Sequence, residues 1–101
     1  MSGAIVQQNY VVTSPAGLHL RPLTAFAQKA ATFQSEIKVA RDGRNVDGKS
    51  AWDMMTMISM PGTVLLLQAV GSDAPAAIEA MVALLEQWSQ IDAAAIENPD
   101  Q

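Results

Sequence analysis

The stretch GRNVDGKS, residues 43–50, decides the fold class of this chain. It fits the pattern G-x-x-x-x-G-K-[ST], in which a glycine loop between a strand and a helix cradles phosphates. It also fits the return strand of a β-hairpin, because the preceding Asp42-Gly43 is a strong signal for a tight two-residue turn. The first interpretation requires a nucleotide-binding fold with a parallel sheet, whereas the second requires antiparallel strands.

The surrounding sequence favours the hairpin. Residues 36–41 alternate polar and apolar side chains, and residues 44–47 form the return strand, which leaves no loop to surround a phosphate. The acidic residue that ends a second strand in nucleotide sites is missing, because the apolar run 64–67 is followed by Gln68. We therefore interpret Gly48-Lys49-Ser50 as a strand-to-helix turn. Ser50 is predicted to be the N-cap, and Asp53 to complete a capping-box-like pair.

The rest of the chain alternates between strand and helix patterns. Residues 5–13 and 64–70 are rich in strand-forming side chains and predict two further strands. Apolar residues at helical spacing predict helices over residues 20–33 and 50–60, and a last helix that begins near residues 72–75. The order β-α-β-β-α-β-α indicates an α+β fold, in which helices cover one face of a small, mainly antiparallel sheet.

Length and composition exclude several classes of protein. A chain of 101 residues that is half apolar predicts one packed domain over residues 1–101. It has no cysteine, so disulfides and thiolate metal sites are excluded, and we expect neither a metal nor a cofactor. A net charge of −4 argues against a nucleic-acid partner. Without a signal peptide or a membrane-length apolar run, we expect a cytoplasmic protein with no membrane insertion. The acidic, alanine-rich tail, residues 90–101, is expected to fray.

The reactive chemistry is concentrated in GLHLRP, residues 17–22, which contains the only histidine. A Pro-Ala-Gly turn precedes His19 and Pro22 suits the first helical turn, so His19 is predicted to be the helix N-cap. The N–H groups of Leu20 and Arg21 then lack helical partners and form an anion site at the positive end of the helix dipole. The Arg21 guanidinium adds a charged fork for phosphate oxygens. A neutral His19 ring beside this site can accept a phosphoryl group, although we find no second acid or base to accompany it.

These motifs resemble the HPr family, the histidine-containing phosphocarrier proteins of the bacterial phosphotransferase system. GLHLRP is close to the family's active-site signature G-[LI]-H-A-R-P, and GKS with the Met-rich segment 52–60 is similar to its signature around a regulatory serine. The resemblance covers about residues 4–89. It implies an HPr-like open-faced β-sandwich, with a four-stranded antiparallel sheet and three helices on one face. Leu20, Thr24 and Trp52 depart from the alanines and the methionine that are common in the family.

The resemblance also implies a function. His19 would accept a phosphoryl group on Nδ1 from enzyme I, which is charged by phosphoenolpyruvate, and would pass it to an enzyme IIA domain. Arg21 and the backbone N–H groups of Leu20 and Arg21 would bind the phosphoryl group. Ser50 would be the target of the HPr kinase/phosphorylase. Such a protein is a carrier in a relay rather than a stand-alone enzyme, and we expect it to be a monomer. The alternative is a regulatory HPr-like binding module, of a nitrogen-type or serine-phosphorylated signalling branch, without a role in sugar transport.

The segment after Ser50 has more large apolar side chains than one buried helix face can use. Met54, Met57 and Ile58 share one stripe and are assigned to the core. Trp52 and Met55 lie on another flank and, together with Leu20, are predicted to form a partner-docking surface, since Met adapts to different partners. The alternative is that the segment is packed into the core on all sides.

Overall fold

The computed structural model describes residues 4–97 of the chain. The four strands are β1 (Ala4–Val11), β2 (Glu36–Arg41), β3 (Arg44–Asp47) and β4 (Val64–Gly71). The helices are α1 (Leu20–Ala30), α2 (Ala51–Met54), which continues as a 3-10 turn over Met55–Met57, and α3 (Ala74–Glu97). The strands form one antiparallel sheet in the order β1-β4-β2-β3. The predicted α+β class and element order are therefore confirmed.

The hairpin interpretation of residues 42–47 is correct. Asp42 and Gly43 both have positive φ, 52° and 83°, as a two-residue turn between twisted strands requires. Lys49 does not face a phosphate cradle, because its Nζ donates a 2.7 Å hydrogen bond to the carbonyl oxygen of Phe33. Gly48 is explained by packing, since a Cβ there would lie 2.8 Å from Cγ2 of Ile37. Residues 44–47 are paired with β2 in the sheet and do not form a phosphate-binding loop.

The core lies between the helices and one face of the sheet. Alternate residues of the strands point into it, while Ile5, Val11 and Val64 are exposed on the opposite face. The largest fully buried side chains come from α1, α2 with its 3-10 turn, the strands and α3: Leu23, Phe26, Met54, Met57, Ile37, Val39, Leu65, Leu67 and Met81. This arrangement leaves the start of α1 at the surface, anchored from below by Leu23 and Phe26.

The helix predicted over residues 50–60 is much shorter in the structure. Four α-helical residues are followed by a 3-10 turn, and Ile58 has left helical geometry, with φ −53° and ψ 126°. Met54 and Met57 are buried as predicted, but the assignment of Ile58 to the core is wrong, because its side chain is 56% exposed. The spacing of three and four residues places side chains on one stripe only while the α-helix continues.

Two further expectations about helix ends need correction. Ser50 caps α2 by accepting a 3.2 Å hydrogen bond from Asp53 N, but the Asp53 carboxylate accepts from Asp47 N instead of Ser50 N. The capping box is therefore only half formed. The tail expected to fray from residue 90 is helical through Glu97, and its alanines are strong helix formers. Residues 98–101 lie outside the described residues.

Two kinds of feature are absent from the described part of the chain. None of its helices is long and apolar enough to cross a membrane. Within residues 4–97, no group of three or more His, Cys, Asp or Glu side chains is close enough to hold a metal ion.

Candidate active site at the start of α1

The structure places His19 at the N-cap of α1, as the sequence predicts. Its backbone is extended, with φ −112° and ψ −174°, and its side chain makes no capping hydrogen bond to the helix. The preceding turn is closed by Gly17 N, which donates to Ser14 O at 2.9 Å. Gly17 has φ +73°, and a Cβ there would overlap the carbonyl oxygen of Ser59. The half-buried imidazole is thus carried on a tightly packed loop, and neither of its nitrogens is used to cap the helix.

The N-terminus of α1 can receive an anion. The first bond into the helix runs from Leu23 N to His19 O, at 3.2 Å, and Pro22 has no N–H group. Within residues 4–97, the N–H groups of Leu20 and Arg21 have no acceptor, and the first turn contains no acidic residue. These two N–H groups and the helix dipole therefore favour negative charge beside His19.

The Arg21 side chain lies on the same side of the molecule as the His19 ring, because both contact Trp88. The guanidinium carbon is 5.3 Å from the Trp88 ring centroid, a cation–π geometry. The His19 ring meets the same indole edge-on, with centroids 6.2 Å apart. Among the described residues no carboxylate pairs with Arg21, so its N–H groups can bind phosphate oxygens.

A second titratable group accompanies His19, which corrects the sequence analysis. The Asp92 carboxylate lies 3.1 Å from His19 Nε2 through Oδ2 and 3.3 Å through Oδ1. The Ser14 hydroxyl donates to the same Oδ2 at 2.8 Å. The signal in the sequence is the spacing of Leu85, Trp88 and Asp92 at three and four residues, which continues the inner face of α3. Assigning residue 92 to a frayed tail hides that signal.

The other predicted site residues differ in exposure and in local role. Trp52 is 80% exposed, which excludes core packing for it, whereas Met55 and Leu20 are half-buried. Ser50 caps α2, and its hydroxyl accepts from Asp53 N rather than contacting the His19 ring. Met60, in the same apolar segment, is not among the predicted docking residues, and its side chain is 77% exposed.

The site is a surface rather than a pocket. Three clefts in the part of the chain that the structure describes lie over the open face of the sheet, along β3 toward α2, and between β1 and α3. His19 lines none of them. A reactive group outside a concave pocket, next to exposed apolar side chains, suits a protein partner better than a small substrate.

The fold and the site together define a histidine-phosphocarrier type of protein. A family model described as the PTS HPr component phosphorylation site matches residues 6–87. The chain is 33% identical to the phosphocarrier protein HPr of Borreliella burgdorferi over 86 residues, which are 85% of this chain and all of that protein. The chain therefore belongs to the HPr family of the phosphotransferase system.

Solved structures agree with this assignment. A phosphocarrier protein HPr from Bacillus anthracis is similar with a TM-score of 0.74 and 34% identity, covering 81% of this chain and 98% of that one. The catabolite repression protein Crh of Bacillus subtilis is similar with a TM-score of 0.64 and 34% identity, covering 81% and 94%. That Crh structure is a dimer with a swapped domain.

Proposed function

We propose that this protein is a phosphocarrier in which His19 accepts a phosphoryl group from enzyme I and passes it to an enzyme IIA domain. The observation that carries the proposal is the N-cap position of His19. It puts a half-buried imidazole beside the free N–H groups of Leu20 and Arg21. Within residues 4–97, the hydrogen bonds of the ring involve Nε2 only, so Nδ1 is available as the nucleophile.

The chemistry follows from these groups. The Nδ1 lone pair attacks phosphorus, a P–N bond forms, and the bond between phosphorus and the donor atom of enzyme I breaks, with its electron pair leaving on that atom. The two N–H groups and the Arg21 guanidinium stabilise the charge that develops on the phosphoryl oxygens. The same contacts serve the reverse step, since the carrier must give up the group to the next protein.

The partners follow from the family and from the exposed surface. Enzyme I and enzyme IIA domains would dock in turn on the apolar side chains next to the site, with Trp52, Met55 and Leu20 among the contacts. We extend the proposal to a monomeric, cytoplasmic protein that forms one domain, with Ser50 as a target of the HPr kinase/phosphorylase. In support, Ser50 and Trp52 lie together at the start of α2, so a phosphate on Ser50 would add negative charge beside the docking surface.

The likeness to Crh supports a second candidate, a regulatory binding module with Ser50 as its switch. His19 and Arg21 favour the carrier, because a module that acts only through a phosphoserine needs neither a reactive imidazole nor a guanidinium beside it. The two functions differ in the donor they use and in the residue that is modified.

Intact mass after incubation with phosphoenolpyruvate and enzyme I tests the proposal. We expect one phosphoryl group, stable in base and lost in acid, as a P–N bond requires. His19→Ala should remain unmodified with an unchanged circular dichroism spectrum, whereas the exposed α1 variant Gln28→Ala should be modified like the wild type. An unmodified wild-type protein, beside an enzyme I that phosphorylates its own HPr, would contradict the carrier function. Modification only by ATP and a serine kinase would favour the regulatory module.

A further inference from the structure

We propose that Asp92 is a positioning residue for His19. Its carboxylate accepts a hydrogen bond from the Nε2–H group and so holds the imidazole in the tautomer whose Nδ1 is unprotonated. This inference rests on the proposed function, because it concerns how the acceptor nitrogen is prepared for transfer.

Asp92 comes from a part of the chain beyond the family match. The family model ends at residue 87, and the Borreliella HPr is aligned over its whole length with 85% of this chain. In this chain α3 continues through Glu97, and the added turns carry Trp88, Ser89 and Asp92. The contact with His19 is therefore made by a segment beyond the residues that the family model matches.

The added turns contact the loop before His19 at two points and the start of α1 at a third. The Asp92 carboxylate accepts from the Ser14 hydroxyl at 2.8 Å, and the Ser89 and Thr13 hydroxyls are 2.9 Å apart. The Trp88 indole stacks with the Arg21 guanidinium and meets the His19 ring edge-on. The Asp92 side chain is only 13% exposed, so the carboxylate is held in place rather than mobile in solvent.

The geometry makes one tautomer of the neutral ring favourable. A carboxylate is an acceptor only, so Nε2 must carry a proton to bond with it at 3.1 Å. The single proton of the neutral ring is then on Nε2, and Nδ1 keeps its lone pair. When Nδ1 bonds to phosphorus, the ring becomes a cation that retains the Nε2 proton. The carboxylate lies against that positive charge, in the manner of the aspartate in hydrolase triads.

The tautomer can be read directly from the nitrogen resonances of the His19 ring in the full-length, 15N-labelled protein. Spectra are compared at a pH where the ring shifts no longer change, so that the ring is neutral in every variant. In the wild type we expect a protonated Nε2 and an unprotonated Nδ1. In Asp92→Ala the two resonances should move toward each other, as a mixture of tautomers requires. Glu86→Gln, which removes an exposed carboxylate from the same helix, is the matched control and should leave the ring spectrum unchanged.

Transfer kinetics give the second readout. Asp92→Ala should lower kcat/KM for phosphorylation by enzyme I by about ten- to a hundredfold, the effect of losing one hydrogen bond to a charged group in the transition state. The loss should appear in kcat rather than in KM, because the docking surface is intact. Asp92→Glu, which keeps the carboxylate, should recover part of the rate, and Glu86→Gln should match the wild type.

Unchanged ring resonances in Asp92→Ala would overturn the proposal. Faster phosphorylation of Asp92→Ala would also overturn it, since the added turns would then obstruct the site rather than prepare it. The ring spectra need no phosphoryl transfer. If neither the wild type nor any variant were phosphorylated, the proposed carrier function would be wrong. The ring spectra would still show whether Asp92 sets the tautomer of His19.

Discussion

The backbones of Leu18 and Ser59 are joined by two reciprocal hydrogen bonds. Leu18 N donates to Ser59 O at 2.7 Å, and Ser59 N donates to Leu18 O at 2.9 Å. Arg41 holds the same segment, because its guanidinium donates to Ile58 O at 2.7 Å and to the Ser59 hydroxyl at 2.9 Å. The residue before His19 is therefore tied to the strand-like segment that carries Ile58. These hydrogen bonds fix the position of the loop that carries His19 relative to the segment that carries the exposed Ile58.

Gly17→Ala tests how tightly the loop before His19 packs against Ser59. A left-handed φ costs a non-glycine residue about 1–2 kcal/mol, and the added Cβ would also overlap Ser59 O. We expect the free energy of unfolding to fall by about 2–4 kcal/mol in urea titrations. Gly43→Ala is the matched control, since Gly43 has φ +83° but open space around a Cβ, and it should lose only the first contribution. Equal losses in the two variants would show that the Ser59 contact yields easily.

Arg21→Ala tests the phosphoryl contact. Losing one charge-assisted hydrogen bond in the transition state should slow transfer from enzyme I by about ten- to a hundredfold. The free energy of unfolding should change by no more than about 1 kcal/mol, the contribution of an exposed cation–π contact with Trp88. Arg21→Lys keeps the charge without the planar fork and should fall between the two. If Arg21→Ala transferred the phosphoryl group at the wild-type rate, Arg21 would not bind that group, and its role would be limited to the contact with Trp88.

Ser50 has a structural role that can be separated from a regulatory one. Ser50→Ala removes the N-cap of α2 and should lower the free energy of unfolding by about 1 kcal/mol. Ser50→Asp restores a capping oxygen and adds negative charge, so it should keep the circular dichroism spectrum while slowing phosphorylation of His19. If Ser50→Asp and Ser50→Ala were phosphorylated at equal rates, charge at this position would not gate the carrier.

Trp52→Ala tests the docking surface. Because the side chain is 80% exposed, its removal should leave the fold intact. The Michaelis constant of enzyme I for this carrier should rise by about tenfold or more, as for a binding hot spot. Ile5→Ala removes another exposed apolar side chain, on the opposite face of the sheet, and should leave the constant unchanged. In a Trp88→Phe background, a blue-shifted and unquenchable Trp52 emission in the free protein would contradict the exposed placement.

We expect the Asp73 carboxylate to cause part of the loss of stability at low pH. Its carboxylate accepts hydrogen bonds from the Ser35 hydroxyl and from the N–H groups of Gln34 and Ser35, which lower its pKa below the ordinary value of 3.8. A folded-state pKa below the unfolded one stabilises the fold fully above 3.8, and this contribution disappears as the pH falls through the folded-state pKa. Asp73→Asn should therefore be less stable than the wild type at neutral pH. The difference should shrink below 3.8, measured as urea midpoints; a difference that does not depend on pH would reject the carboxylate as its cause.

Local chemistry accounts for what the sequence predicted correctly. The dipeptide Asp42-Gly43 is itself a turn signal, so the hairpin could be predicted from neighbouring residues. Gly17 and Pro22 flank His19 and mark the start of α1, so the N-cap position of His19 could be predicted in the same way. Ile58 could not, because the change from α-helix to 3-10 turn depends on how the segment packs. The contact between Asp92 and His19 joins residues far apart in the sequence, and helical periodicity places a residue on a face without naming what that face meets.

The position of Trp88 makes its fluorescence a reporter of the state of His19. The indole lies edge-on to the His19 ring and beneath the Arg21 guanidinium, and indole emission responds to charges and rings in direct contact. A phosphoryl group on His19 would add negative charge within reach of this indole and draw on the same guanidinium. In a Trp52→Phe variant, which lacks the exposed indole, phosphorylation and dephosphorylation of His19 should each change the fluorescence emission of Trp88. The transfer reaction can then be followed in a stopped-flow instrument without any label.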